Sequence, residues 1–205
     1  MKINLSKFPQ ILFFLVVLSG LSVLVVLIQN FIFAPIASKW YFPFLESVGF
    51  VGAYTLLFGL FNKYLWKWPI FRLLRIVDYP DLNGRWQGFL ISSFDNKKRK
   101  VFLEIRQTFL EINVDMYSSQ SQSTSLIADF IQGKNDQIEL HYEYQNEPHV
   151  RTSKTMNIHN GTVKLIFYSD TNTLKGSYYN ANRYDRGHTG SIEVSFKDKK
   201  LLGRF

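Results

Sequence analysis

Between positions 176 and 190 the chain reads Gly-Ser-Tyr-Tyr-Asn-Ala-Asn-Arg-Tyr-Asp-Arg-Gly-His-Thr-Gly. Tyr178, Tyr179, Asn180, Arg183, Arg186 and Thr189 bring aromatic faces, amide edges, a hydroxyl and two guanidinium forks into one short stretch. An arginine fork binds phosphate bidentately. A tyrosine stacks or donates its hydroxyl, and an asparagine reads a base edge. Two base faces, two base edges and two phosphates are the surfaces of a cyclic dinucleotide, and these residue types suit each of them. The same residues also make an ordinary polar hairpin loop with solvated charges. The sequence leaves both readings open.

A second stretch, Asn83-Gly84-Arg85-Trp86-Gln87-Gly88, has the same ambiguity. Trp86 offers a flat face on which a base could stack, worth about 1–3 kcal/mol per base. It could equally plug the floor of a β-barrel. Tyr144 ends an alternating set with Ile138, Leu140 and Tyr142 and joins the candidate ligand contacts. Lys97-Lys98-Arg99-Lys100 reads as a solvated turn that protects a sheet edge, with attraction of anionic lipid or a nucleotide as the competing reading.

Other chemistries find little support. The chain has no cysteine, so disulfides, cysteine zinc sites and a thiol nucleophile are excluded. His141, His149, His159 and His188 are dispersed, without paired ligand spacing, so no metal site is expected. No nucleophile elbow, zinc-protease or phosphate-loop pattern occurs. Carboxylates such as Glu104, Glu111, Glu139 and Glu193 fall on outward strand faces and form no persuasive acid–base pair. The expectation is a binding protein with no catalytic residues and no cofactor.

The elements that must position these groups come from periodicity. After Pro80 the hydrophobic period is two. Strands are predicted at Gly84–Phe94, Lys100–Phe109, Leu110–Tyr117, Ser123–Ile131, Gln137–Tyr144, Thr162–Tyr168, Thr173–Asn180 and Thr189–Phe196, with Thr152–Ile158 as a further short candidate. Turn signals such as Asp95-Asn96, Asn160-Gly161 and Asp170-Thr171-Asn172 separate them. Eight short antiparallel strands predict an all-β soluble domain, a small up-and-down barrel; a sandwich is the alternative. The inward sets are Val101, Leu103, Ile105 and Phe109; Leu110, Ile112, Val114 and Met116; Val163, Leu165 and Phe167; Leu174, Gly176, Tyr178 and Asn180; and Gly190, Ile192, Val194 and Phe196. They predict a polar mouth above an apolar plug.

The first third of the chain is of another kind. Ile11 to Phe33 holds no charge and is long enough as a helix to cross about 30 Å of hydrocarbon. It exceeds the apolar run of a signal peptide, so a retained span is expected. A second span runs from Phe42 to Tyr64, flanked by Trp40, Tyr41, Tyr64, Trp66 and Trp68 at interfacial positions. Gly49 and Ala53 give it a small face suited to self-association. The first eighty residues carry +5 and the rest +3, so the basic excess lies beside the membrane segments rather than on a surface for DNA or RNA. Lys2, Lys7, Lys63, Lys67, Arg72 and Arg75 flank the outer ends of the hairpin, and the connecting loop holds only Lys39. The positive-inside rule puts both termini and the barrel in the cytoplasm. The predicted organisation is a transmembrane hairpin over 1–64, an interfacial linker over 65–79 and a ligand-binding barrel over 80–205.

Two spans, then Tyr79-Pro80-Asp81-Leu82-Asn83-Gly84-Arg85-Trp86-Gln87-Gly88, then Leu174-Lys175-Gly176-Ser177-Tyr178-Tyr179 and Arg186-Gly187-His188-Thr189-Gly190-Ser191-Ile192, resemble the SMODS-associated two-transmembrane β-strand-rich effectors of CBASS antiphage defence. The resemblance implies a barrel that binds a cyclic oligonucleotide made by a neighbouring nucleotidyltransferase during infection. It further implies assembly of the helices, disruption of the bacterial inner membrane and death of the infected cell. By this resemblance Trp86 matches the family's Gly-x-Trp, Tyr178 and Tyr179 its Gly-x-Tyr stretch, and Thr189-Gly190 its closing strand. Asn180 stands where a small hydroxyl residue is more usual. Two other classes stay open: a lipocalin-like carrier, which requires an apolar cavity without convergent arginine, and a protein-interaction module with a filled barrel.

Overall fold

The structure, a computed structural model, describes residues 8–32, 34, 39, 41–133, 137–150, 152, 157–180 and 188–205. The chain forms two compact units, Met1–Asp78 and Tyr79–Phe205.

In the first unit α1 spans Phe8–Ile32 and α2 spans Phe42–Lys63, with proline in the first turn of α2. A 3₁₀ turn at Leu65–Lys67 and a short helix α3, Pro69–Leu73, follow. Within α1, Leu12–Ile32 is long and apolar enough to cross a membrane. Its hydroxyls are satisfied inside the helix: Ser19 Oγ donates to the Leu15 carbonyl and Ser22 Oγ to that of Leu18, each at 2.9 Å. The two helices pack antiparallel. Phe14 lies 4.2 Å from Phe61, and Phe71 of α3 meets Phe61 edge-on at 4.9 Å. Toward the other end of the hairpin, the Gln29 side chain lies over Gly49, where an added Cβ would be 2.6 Å from its Oε1.

The second unit is a closed barrel in which each strand pairs with its chain neighbours and β1 pairs with β8. The strands are β1 Gly84–Ser92, β2 Lys98–Gln107, β3 Ile112–Ser118, β4 Ser121–Gln132, β5 Ile138–Pro148, β6 His159–Tyr168, β7 Thr173–Asn180 and β8 His188–Asp198. All eight expected strands are present, with shifted ends. Phe109 and Leu110, expected on inward faces, instead lie in the β2–β3 turn, and Leu110 is exposed. The Glu111 amide donates to Thr108 Oγ1 at 3.0 Å and closes that turn before the next strand begins. The Thr152–Ile158 candidate falls mostly outside the described residues.

The core is the inward half of each strand. Leu103, Ile105, Val114, Leu140, Val163, Leu165, Leu174, Ile192 and Val194 are buried together. At the floor the chain enters through Pro80–Asn83, stitched to the end of β2. The Leu82 amide donates to Gln107 Oε1 at 2.8 Å, Gln107 Nε2 to the Pro80 carbonyl at 3.0 Å, and Asn83 Nδ2 to the Gln107 carbonyl at 2.9 Å. Gly84 then adopts φ +132°, a conformation that only glycine takes without strain. A Cβ there would also meet the Asp198 carbonyl at 2.7 Å.

The segment after β8 crosses the outer face of β1 and β2. Arg85 and Glu104 form an ion pair on that outer face, yet their side chains are only 3% and 0% exposed. Glu104 Oε1 also accepts from the Leu202 amide at 2.7 Å, and Oε2 from the Gly203 amide at 3.1 Å. Arg85 donates to the Arg204 carbonyl at 2.8 Å, its guanidinium lies 4.0 Å over the Phe102 ring, and Phe205 meets that ring edge-on. The outward-facing Glu104 is therefore not solvated, as alternation alone suggested. A strap formed by its own chain desolvates it and supplies two amide donors in compensation.

Candidate functional site

Because the barrel is a meander, the β1–β2, β3–β4, β5–β6 and β7–β8 connections all emerge at one end, opposite the floor. That end is the mouth, and many of its inward side chains are polar, with Leu90 an apolar neighbour of Arg99. Ser118, Ser121, Ser123, Ser125 and Asn146 are buried there. Ser-x-Ser-x-Ser over 121–125 is itself a period-two signal of a hydroxyl face, which the aliphatic periodicity in the same strands obscured. Two of these hydroxyls serve the backbone. Ser118 Oγ donates to the Ser121 carbonyl, and Ser125 Oγ accepts from the Val114 amide, both at 2.9 Å.

Tyr144 and Tyr178 project into the mouth, each seated against a glycine on the adjacent strand. Tyr144 pairs across from Gly161, and Tyr178 from Gly190. A Cβ on Gly161 would lie 2.5 Å from the Tyr144 hydroxyl, and one on Gly190 would lie 2.3 Å from the Tyr178 ring. Burial pushes the phenols of Tyr142 and Tyr144 far up. The Tyr178 phenol is close enough to Tyr144 to add to that effect.

Asn180 stands at the rim, where its Oδ1 accepts from the His188 amide at 2.8 Å and its Nδ2 lies 3.5 Å from His159 Nε2. It therefore ties the start of β8 to the start of β6. His159 in turn meets the Tyr144 ring edge-on at 6.4 Å.

The mouth also holds a residue whose place the sequence did not reveal. Arg99 belongs to β2, on the same face as Val101, Leu103 and Ile105. Its fork grips Asp95, with Nη1 to Oδ1 at 2.9 Å and Nη2 to Oδ2 at 2.6 Å, and its Nε donates to Gln120 Oε1 at 3.3 Å. The hydrogen bond from Arg99 holds the Asp95 carboxyl below its usual range. That same bond raises the Arg99 guanidinium, and the Tyr178 phenol also contributes to the field there. The surrounding Lys97, Lys98 and Lys100 made the run look like a solvated turn. Alternation from Val101 back to Arg99 is the signal that separates the arginine from its neighbours.

The structure distributes the remaining candidates. Trp86 lies at the floor, 1% exposed, with Nε1 donating to the Leu82 carbonyl at 2.9 Å. Phe167 and Phe196 meet its ring edge-on at 6.1 and 5.4 Å. Tyr179 and Thr189 pair with each other on the outer face, since successive residues of a strand face opposite ways. Arg183 and Arg186, between β7 and β8 in the sequence, lie outside the described residues. Thus Tyr144, Tyr178 and Asn180 come together, Arg99 joins them, and Trp86 sits at the other end. Among the described residues no cluster of histidine and carboxylate groups could hold a metal ion.

Comparison with known proteins bears on what this mouth receives. Residues 77–195 match the family model described as Cap15, cyclic dinucleotide receptor domain, a range that covers seven of the eight strands in full and most of β8. A CD-NTase-associated protein 15 from Staphylococcus schleiferi is 32% identical over 120 residues, 58% of this chain and 63% of that protein. A CD-NTase-associated protein 15 from Escherichia albertii is 27% identical over 158 residues, 75% of this chain and 81% of that protein. The chain thus spans just under two thirds of the staphylococcal relative. The matched range takes in Trp86, the mouth and each of the candidate site residues, and the chain belongs to the Cap15 cyclic dinucleotide receptor family.

Proposed function

We propose that this protein is a membrane effector of CBASS antiphage defence whose barrel binds a cyclic dinucleotide at its mouth without hydrolysing it. The observation that carries the reading is the polar mouth lying inside the matched receptor range. Buried tyrosines, a serine face, Asn180 and an arginine fork converge on one barrel end. In this reading Tyr144 and Tyr178 supply aromatic faces and hydroxyls, Asn180 an amide, and the guanidinium groups of Arg183 and Arg186 the chemistry for phosphate. Trp86 is the floor beneath them. A carrier of an apolar ligand would need an apolar mouth, and this one is polar.

The helices supply the output. Both α1 and α2 span the inner membrane, with the termini and the barrel cytoplasmic, as the basic residues at the outer ends of the hairpin favour. Two helices per chain enclose no wide pore, so a membrane lesion requires several copies. Ligand acts by favouring association, which it can do only by binding the assembled state more tightly than the free one. The lesion kills the infected cell before phage mature.

The test uses the full-length chain in lipid nanodiscs, titrated with cyclic di-AMP, cyclic di-GMP, cyclic GMP–AMP and cyclic di-UMP. Saturable binding of one of them, recovered unchanged after incubation, is expected. Crosslinking in membranes should then increase with that nucleotide. Absence of binding across the panel, or release of a linear product, would overturn the reading.

A further inference from the structure

At the mouth, the only carboxylate held by Arg99 among the described residues is Asp95, and it is held as a phosphate would be. Two N–H···O bonds at 2.9 and 2.6 Å occupy the Nη1–Nη2 edge of the guanidinium, a bidentate arrangement that also fits a phosphodiester. The pair lies at the rim rather than in the core, with side chains 28% and 20% exposed, so solvent and solutes reach it. The third arm of the fork is fixed from a different hairpin by Gln120, which aims the group across the mouth. The Tyr178 phenol lies within the same field.

Asp95 is mounted on a turn built to hold it. The Lys97 amide donates to Asp95 Oδ1 at 3.2 Å, the Asn96 amide to the Ser92 carbonyl at 2.9 Å, and Asn96 adopts φ +53°. These contacts hold the turn in addition to the Arg99–Asp95 bonds, and Arg99 Nη1 makes a longer one to the Lys97 carbonyl at 3.4 Å.

We infer that Asp95 is an internal stand-in for phosphate: it occupies the Arg99 fork in the free receptor, and a phosphate of the bound cyclic dinucleotide displaces it. This rests on the reading of the mouth as the cyclic dinucleotide site. The exchange swaps one oxyanion for another on the same donors, so Arg99 is never left without an anion. It sets a threshold, because a ligand must outcompete a tethered carboxylate, and uncharged or misplaced ligands fail to do so. It also makes Arg99 a specificity-determining residue that reports phosphate position rather than base identity.

The experiment titrates full-length protein in nanodiscs with the same four cyclic dinucleotides, comparing the native chain with Asp95→Asn, Arg99→Ala, Arg99→Lys and the Asp95→Asn/Arg99→Ala double variant. Asparagine keeps the turn, because its Oδ1 still accepts from the Lys97 amide, but it removes the competing charge. Asp95→Asn is expected to tighten binding about 3- to 10-fold, and Arg99→Ala to weaken it about 10- to 100-fold. Arg99→Lys falls between, since an ammonium supplies charge without the fork. In the double variant the Asp95→Asn gain should vanish, because it acts through Arg99. If the native chain binds and Asp95→Asn binds no tighter, or gains equally without Arg99, the inference is overturned while the receptor reading stands. If neither the native chain nor Asp95→Asn binds any nucleotide of the panel, the receptor reading fails, and this inference fails with it.

Discussion

Tyr178 fills the space that a side chain on Gly190 would occupy: a Cβ there would lie 2.3 Å from the Tyr178 ring and equally close to the Ile91 carbonyl. The glycine thus sets both the tyrosine's seat in the mouth and the close approach of β8 to β1. Gly190→Ala should destabilise the barrel by about 1–3 kcal/mol through overpacking, read by chemical denaturation. Tyr178→Phe tests the hydroxyl alone. It should leave stability within about 1 kcal/mol and weaken cyclic dinucleotide binding about 3- to 15-fold, the loss of one neutral hydrogen bond. Unchanged affinity in folded Tyr178→Phe would remove the hydroxyl from recognition.

Trp86 separates stability from binding. Truncation to alanine should cost about 3–5 kcal/mol, because the indole is buried beneath the core and bonded to the Leu82 carbonyl. Trp86→Phe keeps much of the volume and should stay folded with a lower Tm. Since the ring lies at the floor, its ligand affinity should remain within about threefold of the native value. A large selective loss of binding in that variant would place the ligand against the indole instead.

The strap after β8 gives a pH dependence with a definite sign. Burial pushes the Glu104 carboxyl up, but the Leu202 amide, Arg85 and the Gly203 amide outweigh it and hold the carboxyl below its ordinary value. A depressed folded pKa contributes stability at every pH above the unfolded carboxylate value, near ~4.3, and loses it as pH falls through the folded value. Limited proteolysis should therefore cut the strap near Leu202 faster in acid than at neutral pH. Glu104→Gln should cut fast at both and lose the pH step. It should also destabilise the barrel by up to about 3–5 kcal/mol, because Arg85 is left buried without its partner. Equal cutting of the native chain at both pH values would refute the assignment.

In the helical unit, Gly49 already has an occupant. Gly49→Leu would collide with Gln29 of the same chain, so it should disturb the packing of α1 on α2. Gly52→Leu, with nothing within 4 Å of its added Cβ, should leave that packing intact. Crosslinking engineered cysteines at positions 14 and 61 would show it: efficient in Gly52→Leu, reduced in Gly49→Leu. If Gly49→Leu crosslinks normally, Gly49 is free to serve contacts between copies.

The strands were legible because the barrel writes its core in period two. Val163-x-Leu165-x-Phe167 and Leu174-x-Gly176-x-Tyr178 mark inward faces unaided. The same rule divides Tyr178 from Tyr179 and Asn180 from Thr189, which composition alone had grouped. Asp95 and Arg99 were hidden by surrounding lysines. The strap was hidden for a different reason. Whether Glu104 is solvated depends on amide donors 98 and 99 residues away, and no local pattern carries that information. Trp86 was ambiguous because an indole suits a floor and a stacking platform equally, and only its neighbours Phe167 and Phe196 distinguish them.

Seven of the barrel's eight pairings join strands adjacent in the chain, and only the β1–β8 seam is distant in sequence. Closing the β1–β8 seam therefore carries the largest loop-closure entropy of the eight pairings. Residues 202–204 cross that seam, gripping Arg85 of β1 and Glu104 of β2 from beyond β8. The strap is in that sense a latch on the seam. Contacts made only after closure slow unfolding without speeding folding. Loss of the latch should appear as a faster unfolding limb, with the rate of barrel formation nearly unchanged.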